Sequence, residues 1–186
     1  MVLSAHDVEL YPTPSWITNA LLDVEEFDKE WSIWEPACGN GAIMEVLEKR
    51  GYDDVYGSDL YDFGVGDVGI DFLSLSKKKQ YVNAIITNPP FSLAEQFVHK
   101  ALEFATRKVA MLLRLAFLEG QGRYKRMFKE RCPPTRVHVF SQRVTMYPLG
   151  TERKGAATSA IAWFVWERGE DGKLPMKSEL RWISPR

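Results

Sequence analysis

The segment Tyr81–Thr87, YVNAIIT, is an apolar run of strand length, and Asn88-Pro89-Pro90-Phe91 follows it without a break. Two successive prolines lack backbone donors and can neither continue a sheet ladder nor enter a helix interior. The run therefore predicts a strand that stops at Thr87 and passes into a rigid turn. The same punctuation recurs: Trp31–Glu35 (WSIWE) is a strand-like run ended by Pro36. Amphipathic stretches lie between such runs. GAIMEVLEKRG predicts a helix from Ala42 with Ile43, Val46 and Leu47 on one face, stopped by Gly51. SLAEQFVHKALEFA predicts a second, with Leu93, Phe97, Ala101 and Phe104 inward and Ser92 and Glu95 as a capping box.

Further strands are expected at DVYGSD (ending at Asp59), near Val68–Ile70, and at KVAMLLR, RVHVF and AIAWFVWE. The last carries large apolar residues on both faces, as a buried strand does. GRYKRMFKER predicts a basic helix closed by Pro133 and Pro134, and residues 168–186 read as a surface tail. Strands alternating with helices predict an α/β fold: a doubly wound, mostly parallel sheet with a late antiparallel hairpin. Ligands in such sheets bind at the carboxyl ends of the strands.

The chain has 186 residues, 45% hydrophobic and 26% charged, which suits one domain over 1–186 with a proper core. Its apolar runs fall far short of the roughly 20 residues a membrane span needs. MVLSAHDVEL lacks the basic and apolar regions of a signal peptide. Cys38 and Cys132 lie far apart, a reduced-compartment pattern, so the cytoplasm is expected. His6, His99 and His138 show no ligand spacing, and no metal is expected. Charge is uneven: Met1–Ser76 holds 16 acidic and 3 basic residues, a net of −13, and Arg107–Lys154 holds 12 basic and 3 acidic, a net of +9. That asymmetry points to a polyanion against one face, or simply to charge on separate solvated surfaces. Lys77–Lys79 reads as a solvated loop.

The turn after the first strand is Glu35-Pro36-Ala37-Cys38-Gly39-Asn40-Gly41. Its glycines allow a tight turn and close approach of a ligand. It is neither the G-x-G-x-x-G dinucleotide fingerprint nor a P-loop. An acid just before the turn would repel phosphate and suit an ammonium group. An adenosine bearing a charged amino-acid end and no phosphates fits, and S-adenosylmethionine (SAM) is such a molecule. Asp59 ends the second strand 24 residues after Glu35, near the spacing at which a carboxylate meets ribose hydroxyls, or it is a cap or loop acid.

EPACGNG resembles the SAM-binding motif of amino-group DNA methyltransferases, and NPPF after the fourth strand resembles their catalytic motif. The early YPTP (Tyr11–Pro14) resembles the segment that packs over the methionine end of SAM, and FSQRVTMYP with AIAWFVWE resembles the hairpin flanking the target base. LLRLAFLEG and WFVWE are similar to strings of the small phage-type adenine-N6 methyltransferases. The resemblance spans Tyr11–Glu167 and implies a Rossmann-like class I SAM methyltransferase fold, with about 1–30 covering the cofactor. It implies cofactor contacts from Tyr11, Thr13, Glu35, Pro36, Ala37, Gly39, Gly41, Asp59, Leu60 and Asn88. It also implies that Asp71 accepts from the SAM adenine amine and that Phe72 covers the ring. Tyr11–Pro14 also reads as the turn before a helix at Ser15.

An exocyclic amino nitrogen is a poor nucleophile because its lone pair is delocalised into the ring. Acceptors facing both N–H bonds favour rehybridisation and absorb developing positive charge. The Asn88 side-chain oxygen and the Pro89 carbonyl can supply them, Pro90 stiffens the turn, and Phe91 can stack on the flat base. Positioning then does most of the catalysis and no covalent intermediate is needed. A cytosine-5 mechanism would need a cysteine here, and there is none. A duplex base must be flipped out to reach the site. Phe140, Arg143 and Tyr147 are candidates beside the flipped base, with a core role for Phe140 the competing reading. Arg123, Lys125, Arg126, Lys129 and Arg131 are candidates to track phosphates, or a solvated helix face.

The expected activity is adenine-N6 methylation of DNA, duplex before single strand. RNA adenine, a protein glutamine amide and an inactive binding module are the alternatives. The segment Met146–Thr158 is too short for a recognition domain, so relaxed or short-site specificity, or a recognition partner, is expected.

Overall fold

The computed structural model describes residues 10–76, 81–129, 131–147 and 159–184. His6, Lys77–Lys79 and most of the Met146–Thr158 segment lie outside them. The described strands are β1 Ile33–Glu35, β2 Val55–Asp59, β3 Asp67–Val68, β4 Val82–Thr87, β5 Ala105–Arg114, β6 Arg136–Phe140, β7 Ile161–Glu167 and β8 Glu179–Ile183. They form one sheet in the order β3-β2-β1-β4-β5-β7-β6-β8. β3 through β5 in that order run parallel, β7 lies antiparallel between β5 and β6, and β8 runs parallel to β6. All strands but β7 thus point their carboxyl ends to one edge. The expected α/β fold with its antiparallel hairpin is what the chain adopts.

Alternate residues of the central strands feed two core layers. Ile85, Val109, Met111, Leu113 and Phe164 pack on one face with α3 (Ala94–Phe104). Ile86, Ala110, Leu112, Trp163 and Val165 pack on the other with α1 (Ser15–Leu22) and α2 (Ala42–Lys49). Each such large side chain, fully buried, contributes about 1.5–3 kcal/mol. Indole donors pin the layers: Trp163 Nε1 donates to the Ile17 carbonyl at 2.9 Å and Trp166 Nε1 to the Cys132 carbonyl at 2.9 Å.

Several expectations are corrected. Ser92 lies in a 3-10 turn, Phe91–Leu93, so α3 starts at Ala94 with no side-chain cap. Glu95 instead takes a two-pronged hydrogen bond from Arg126, at 2.6 and 2.8 Å, with Arg123 Nε at 3.8 Å. The basic helix is α4 (Gln121–Arg123) continued by a π turn over Tyr124–Phe128. The tail is more than surface: β8 pairs with β6 and buries Ile183, while Leu180 and Trp182 face solvent. β8 (ELRWI) is short, four of its five side chains are exposed, and Ile183 follows Trp182 directly, so no sustained alternation announces a strand.

His138, without a role in the sequence, is fully buried in a charged cluster at the amino-terminal edge of the parallel strands. Glu25, between α1 and β1, accepts from Lys108 Nζ at 3.0 Å, Arg136 Nη2 at 2.7 Å and His138 Nε2 at 2.7 Å. Glu167 takes Lys108 at 3.0 Å and pairs with Arg136. Burial alone would raise the Glu25 carboxyl, but hydrogen bonds from His138 and Arg136 and the charge of Lys108 outweigh it and hold it well below its usual 4.5. A depressed carboxyl stabilises the fold fully above that usual value, and the contribution is lost as pH falls below it. Glu25→Gln should cost about 3–5 kcal/mol at neutral pH by stranding buried cations. Melting curves should also show a flatter acid limb between about pH 5 and 2. An acid limb as steep as that of the wild type would remove Glu25 as its source.

Candidate active site

The carboxyl edge gathers the turns after β1, β2 and β4. After β1, Gly39 (φ 52°) and Gly41 (φ 78°) take the left-handed region that other residues resist. The turn is laced to β2: Cys38 N–H donates to the Ser58 carbonyl at 3.0 Å, and Gly39 N–H donates to Asp59 Oδ2 at 2.9 Å. Asp59 Oδ1 accepts from Tyr61 N–H at 3.0 Å. Asp59 therefore holds the turn's shape, with further lone pairs on both oxygens able to meet hydroxyls. Leu60 beside it is exposed. The side chain of Leu10 covers Gly39: a Cβ there would come 2.6 Å from Leu10 Cδ1.

Glu35, at the end of β1, is 2% exposed, and its Oε2 has no hydrogen-bond partner among the described residues. Burial, with the nearby charge of Asp59, raises its carboxyl well above 4.5 against a hydrogen bond from the Met44 backbone. An orphaned acid oxygen beneath a glycine turn suits a cationic ligand, which would restore the carboxylate. Cys38, in the same turn, is buried, and burial beside Glu35 and Asp59 pushes its thiol up to about 12, so it is no nucleophile.

The β4 turn is held from two sides. Asn88 Nδ2 donates to Thr13 Oγ1 at 3.1 Å and to the Tyr11 carbonyl at 3.4 Å, and approaches Met146 Sδ at 3.8 Å. A carbonyl can only accept, so the amide nitrogen must face this side and Oδ1 must face away. No described residue donates to Oδ1 or to the Pro89 carbonyl. Tyr11 and Thr13 thus reach the β4 turn while Leu10 reaches the β1 turn, so the N-terminal segment bridges the two. Phe91 is half-buried, with the Arg114 guanidinium 4.8 Å from its ring centre. Arg114 and Met146 were not singled out in the sequence; only adjacency of β4, β5 and the loop after β6 reveals them.

Other expected residues fall elsewhere. Phe72 is 2% exposed, its ring edge-on to Trp34 at 5.1 Å and against Phe97 at 5.2 Å, so the core occupies it and it cannot cover an adenine. Asp71 caps the turn at Phe72–Ser74 through Leu73 N–H at 3.0 Å and is exposed, beside Ile70, whose N–H donates to the Asp59 carbonyl at 3.0 Å. Phe140 is buried edge-on to Trp16 at 5.3 Å, so its competing reading as core holds. Arg143 is exposed in the loop after β6. Arg123 donates to the carbonyls of Phe117 and Glu119, each at 2.8 Å, and Arg126 is paired with Glu95. Of the expected phosphate-tracking residues, Lys125 and Arg131 are exposed with no ion pair among the described residues, and Lys129 is exposed as well.

No family model matches the sequence, and no curated protein resembles it closely enough to count. Solved structures do. The chain superposes on a candidate class I S-adenosylmethionine-dependent methyltransferase from Listeria monocytogenes with a TM-score of 0.61 at 16% identity, over 90% of this chain and 62% of that one. The modification subunit of a candidate type I restriction enzyme from Vibrio vulnificus gives 0.64 at 15%, over 88% and 45%. A candidate RNA methyltransferase from Pyrococcus horikoshii gives 0.59 at 16%, over 86% and 87%. The fold is that of class I SAM-dependent methyltransferases. The chain spans less than two thirds of the Listeria protein and under half of the Vibrio subunit.

SAM is the cofactor expected of that fold, and the orphaned Glu35 oxygen offers a direct test. If the ligand's cation meets Glu35, whose carboxyl burial raises, affinity should increase with pH as that carboxyl ionises, visible by calorimetry across a pH series. Glu35→Gln should flatten that dependence and weaken binding by about 1.5–3 kcal/mol. Unchanged affinity in Glu35→Gln would place the cation elsewhere.

Proposed function

We propose that this chain is a SAM-dependent methyltransferase that modifies the exocyclic N6 of adenine in DNA. The observation that carries the reading is the orientation of Asn88: its nitrogen is engaged by Tyr11 and Thr13, and no described residue donates to its Oδ1 or to the Pro89 carbonyl. Two acceptors leaving one rigid turn match the two N–H bonds of an amino group on a flat ring. Glu35, the Gly39–Gly41 turn and Asp59 would hold SAM, which would supply a methyl group on a sulfonium. Asn88 and Pro89 draw on the amine's protons, Pro90 stiffens the turn, and the half-buried Phe91 ring lies next in the chain as a surface for the base. Leu10, Tyr11 and Thr13 close over both turns and exclude water. Cys38 takes no part.

The order of motifs, similar to that of the small phage-type adenine-N6 family, supports adenine in DNA, reached by base flipping. The type I modification subunit among the neighbours fits DNA as well. RNA adenine is the second reading, favoured by the size match to the Pyrococcus protein, of which this chain spans 87%. Recognition would be relaxed, short-site or supplied by a separate specificity partner.

The test is methyl transfer from labelled SAM to duplex DNA, single-stranded DNA, RNA and a glutamine peptide, with the product nucleoside read by mass spectrometry. N6-methyladenine from DNA is the expected outcome; label in RNA alone would install the second reading. Asn88→Ala should lower transfer at least about 100-fold, the scale of losing one such group, with SAM affinity nearly unchanged. Thr13→Val, which releases the amide but keeps the volume, should lower it about tenfold, the scale of one net hydrogen bond. Full activity in Thr13→Val would show that the amide needs no anchor.

A further inference from the structure

We propose that Arg114 is a substrate-positioning residue that grips the phosphate backbone beside the target nucleotide. This rests on the nucleic-acid reading above. Ile86 of β4 pairs with Ala110 of β5, and both point into the α1–α2 core layer. Two residues further along β4 is Asn88, and four further along β5 is Arg114, so both leave the sheet on that same face at its carboxyl edge. The Arg114 backbone is locked: it pairs with Ile161, and the next N–H, of Leu115, donates to the Ala160 carbonyl at 2.8 Å.

The guanidinium lies 4.8 Å from the centre of the Phe91 ring. Cation–π attraction to the ring engages no N–H donor of the guanidinium by a hydrogen bond, and no described carboxylate pairs with it, so its planar fork can meet two phosphate oxygens. Among the described residues, Arg50 is committed to Asp23, Arg123 and Arg126 to Glu95, Arg136 to Glu25 and Glu167, and Arg181 to Glu179; Arg107 and Arg131 are exposed like Arg114, but Arg114 is the described arginine that meets the Phe91 ring. Arg168 donates to the carbonyls of Gly172 and Leu102. Arg114 is exposed and forms no ion pair among the described residues. An uncompensated cation pressed on the aromatic of a proposed catalytic turn has no structural charge to balance. A base placed against that turn must bring its own phosphates to the same edge. The arrangement gives Phe91 and Arg114 linked tasks, the ring for the base and the guanidinium for the anion next to it.

The test uses the full chain, with binding of a short adenine-containing DNA duplex and of the matching single strand measured across a salt series. Arg114→Ala should weaken duplex binding about tenfold at low salt and lessen the slope of log affinity against log salt by about 0.9, or about 0.7 on the single strand. Arg114→Lys should restore the slope, since it restores the charge, while recovering only part of the transfer rate, since it lacks the fork. SAM affinity and melting temperature should stay near wild type in both. A merely structural role would change melting temperature and leave the slope alone. An unchanged slope in Arg114→Ala, with transfer still detectable, overturns this assignment and leaves the methyltransferase reading intact. Wild-type protein that binds and methylates no nucleic acid overturns both.

Discussion

A strand buried on both faces between parallel neighbours can put polar chemistry only at its ends. β4 is such a strand: Ala84, Ile85, Ile86 and Thr87 are all buried, with β1 on one side and β5 on the other. Parallel neighbours carry their own ends to the same edge, so one constraint collects Glu35, Asp59, Asn88 and Arg114 along a single rim. The proline pair enforces the exit, because no ladder or helix can absorb it. The rest of the candidate site depends on this.

The two edges of the sheet use charge differently. At the amino-terminal edge, Glu25 and Glu167 pair with Lys108 and Arg136 inside the protein, and His138 Nε2 is hydrogen-bonded to Glu25. At the carboxyl edge Glu35 is buried with one oxygen unmet, and Arg114 is exposed without a carboxylate. Ion pairs of this kind support the fold, while an unmet carboxylate oxygen beneath a glycine turn suits a ligand. This division also tempers the basic character of Arg107–Lys154. Lys108, Arg123, Arg126 and Arg136 are spent on Glu25, Glu95 and Glu167, so counting charges along the chain overstates what is left to meet a polyanion.

Much of the architecture was legible. Apolar periodicity and breakers place β1, β2, β4 to β7, α2 and α3 within a few residues, because each is a local pattern with a local stop. β8 was not legible: a five-residue edge strand with three exposed side chains besides Trp182, itself 71% exposed, has no buried face to print an alternation. The capping box failed because Arg126, distant in the chain, competes for Glu95. Phe72 failed as a ring cover because a neighbouring acid in the sequence says nothing about which way the aromatic turns, and the core held a better place for it against Trp34.

The sequence by itself determined where strands stop, which turns are rigid, and what residue types stand there: an acid before a glycine turn, and an amide before two prolines and an aromatic. These follow from backbone sterics and from the absence of a proline donor, which act within a few residues. Tertiary structure alone decided which way the Asn88 amide points, which carboxylate oxygen is left unmet among the described residues, and which cation meets the Phe91 ring. Each of those is a competition between partners far apart in the chain, such as Tyr11 and Asn88, or Glu25 and Arg136, and folding the sheet is what brings the competitors within reach.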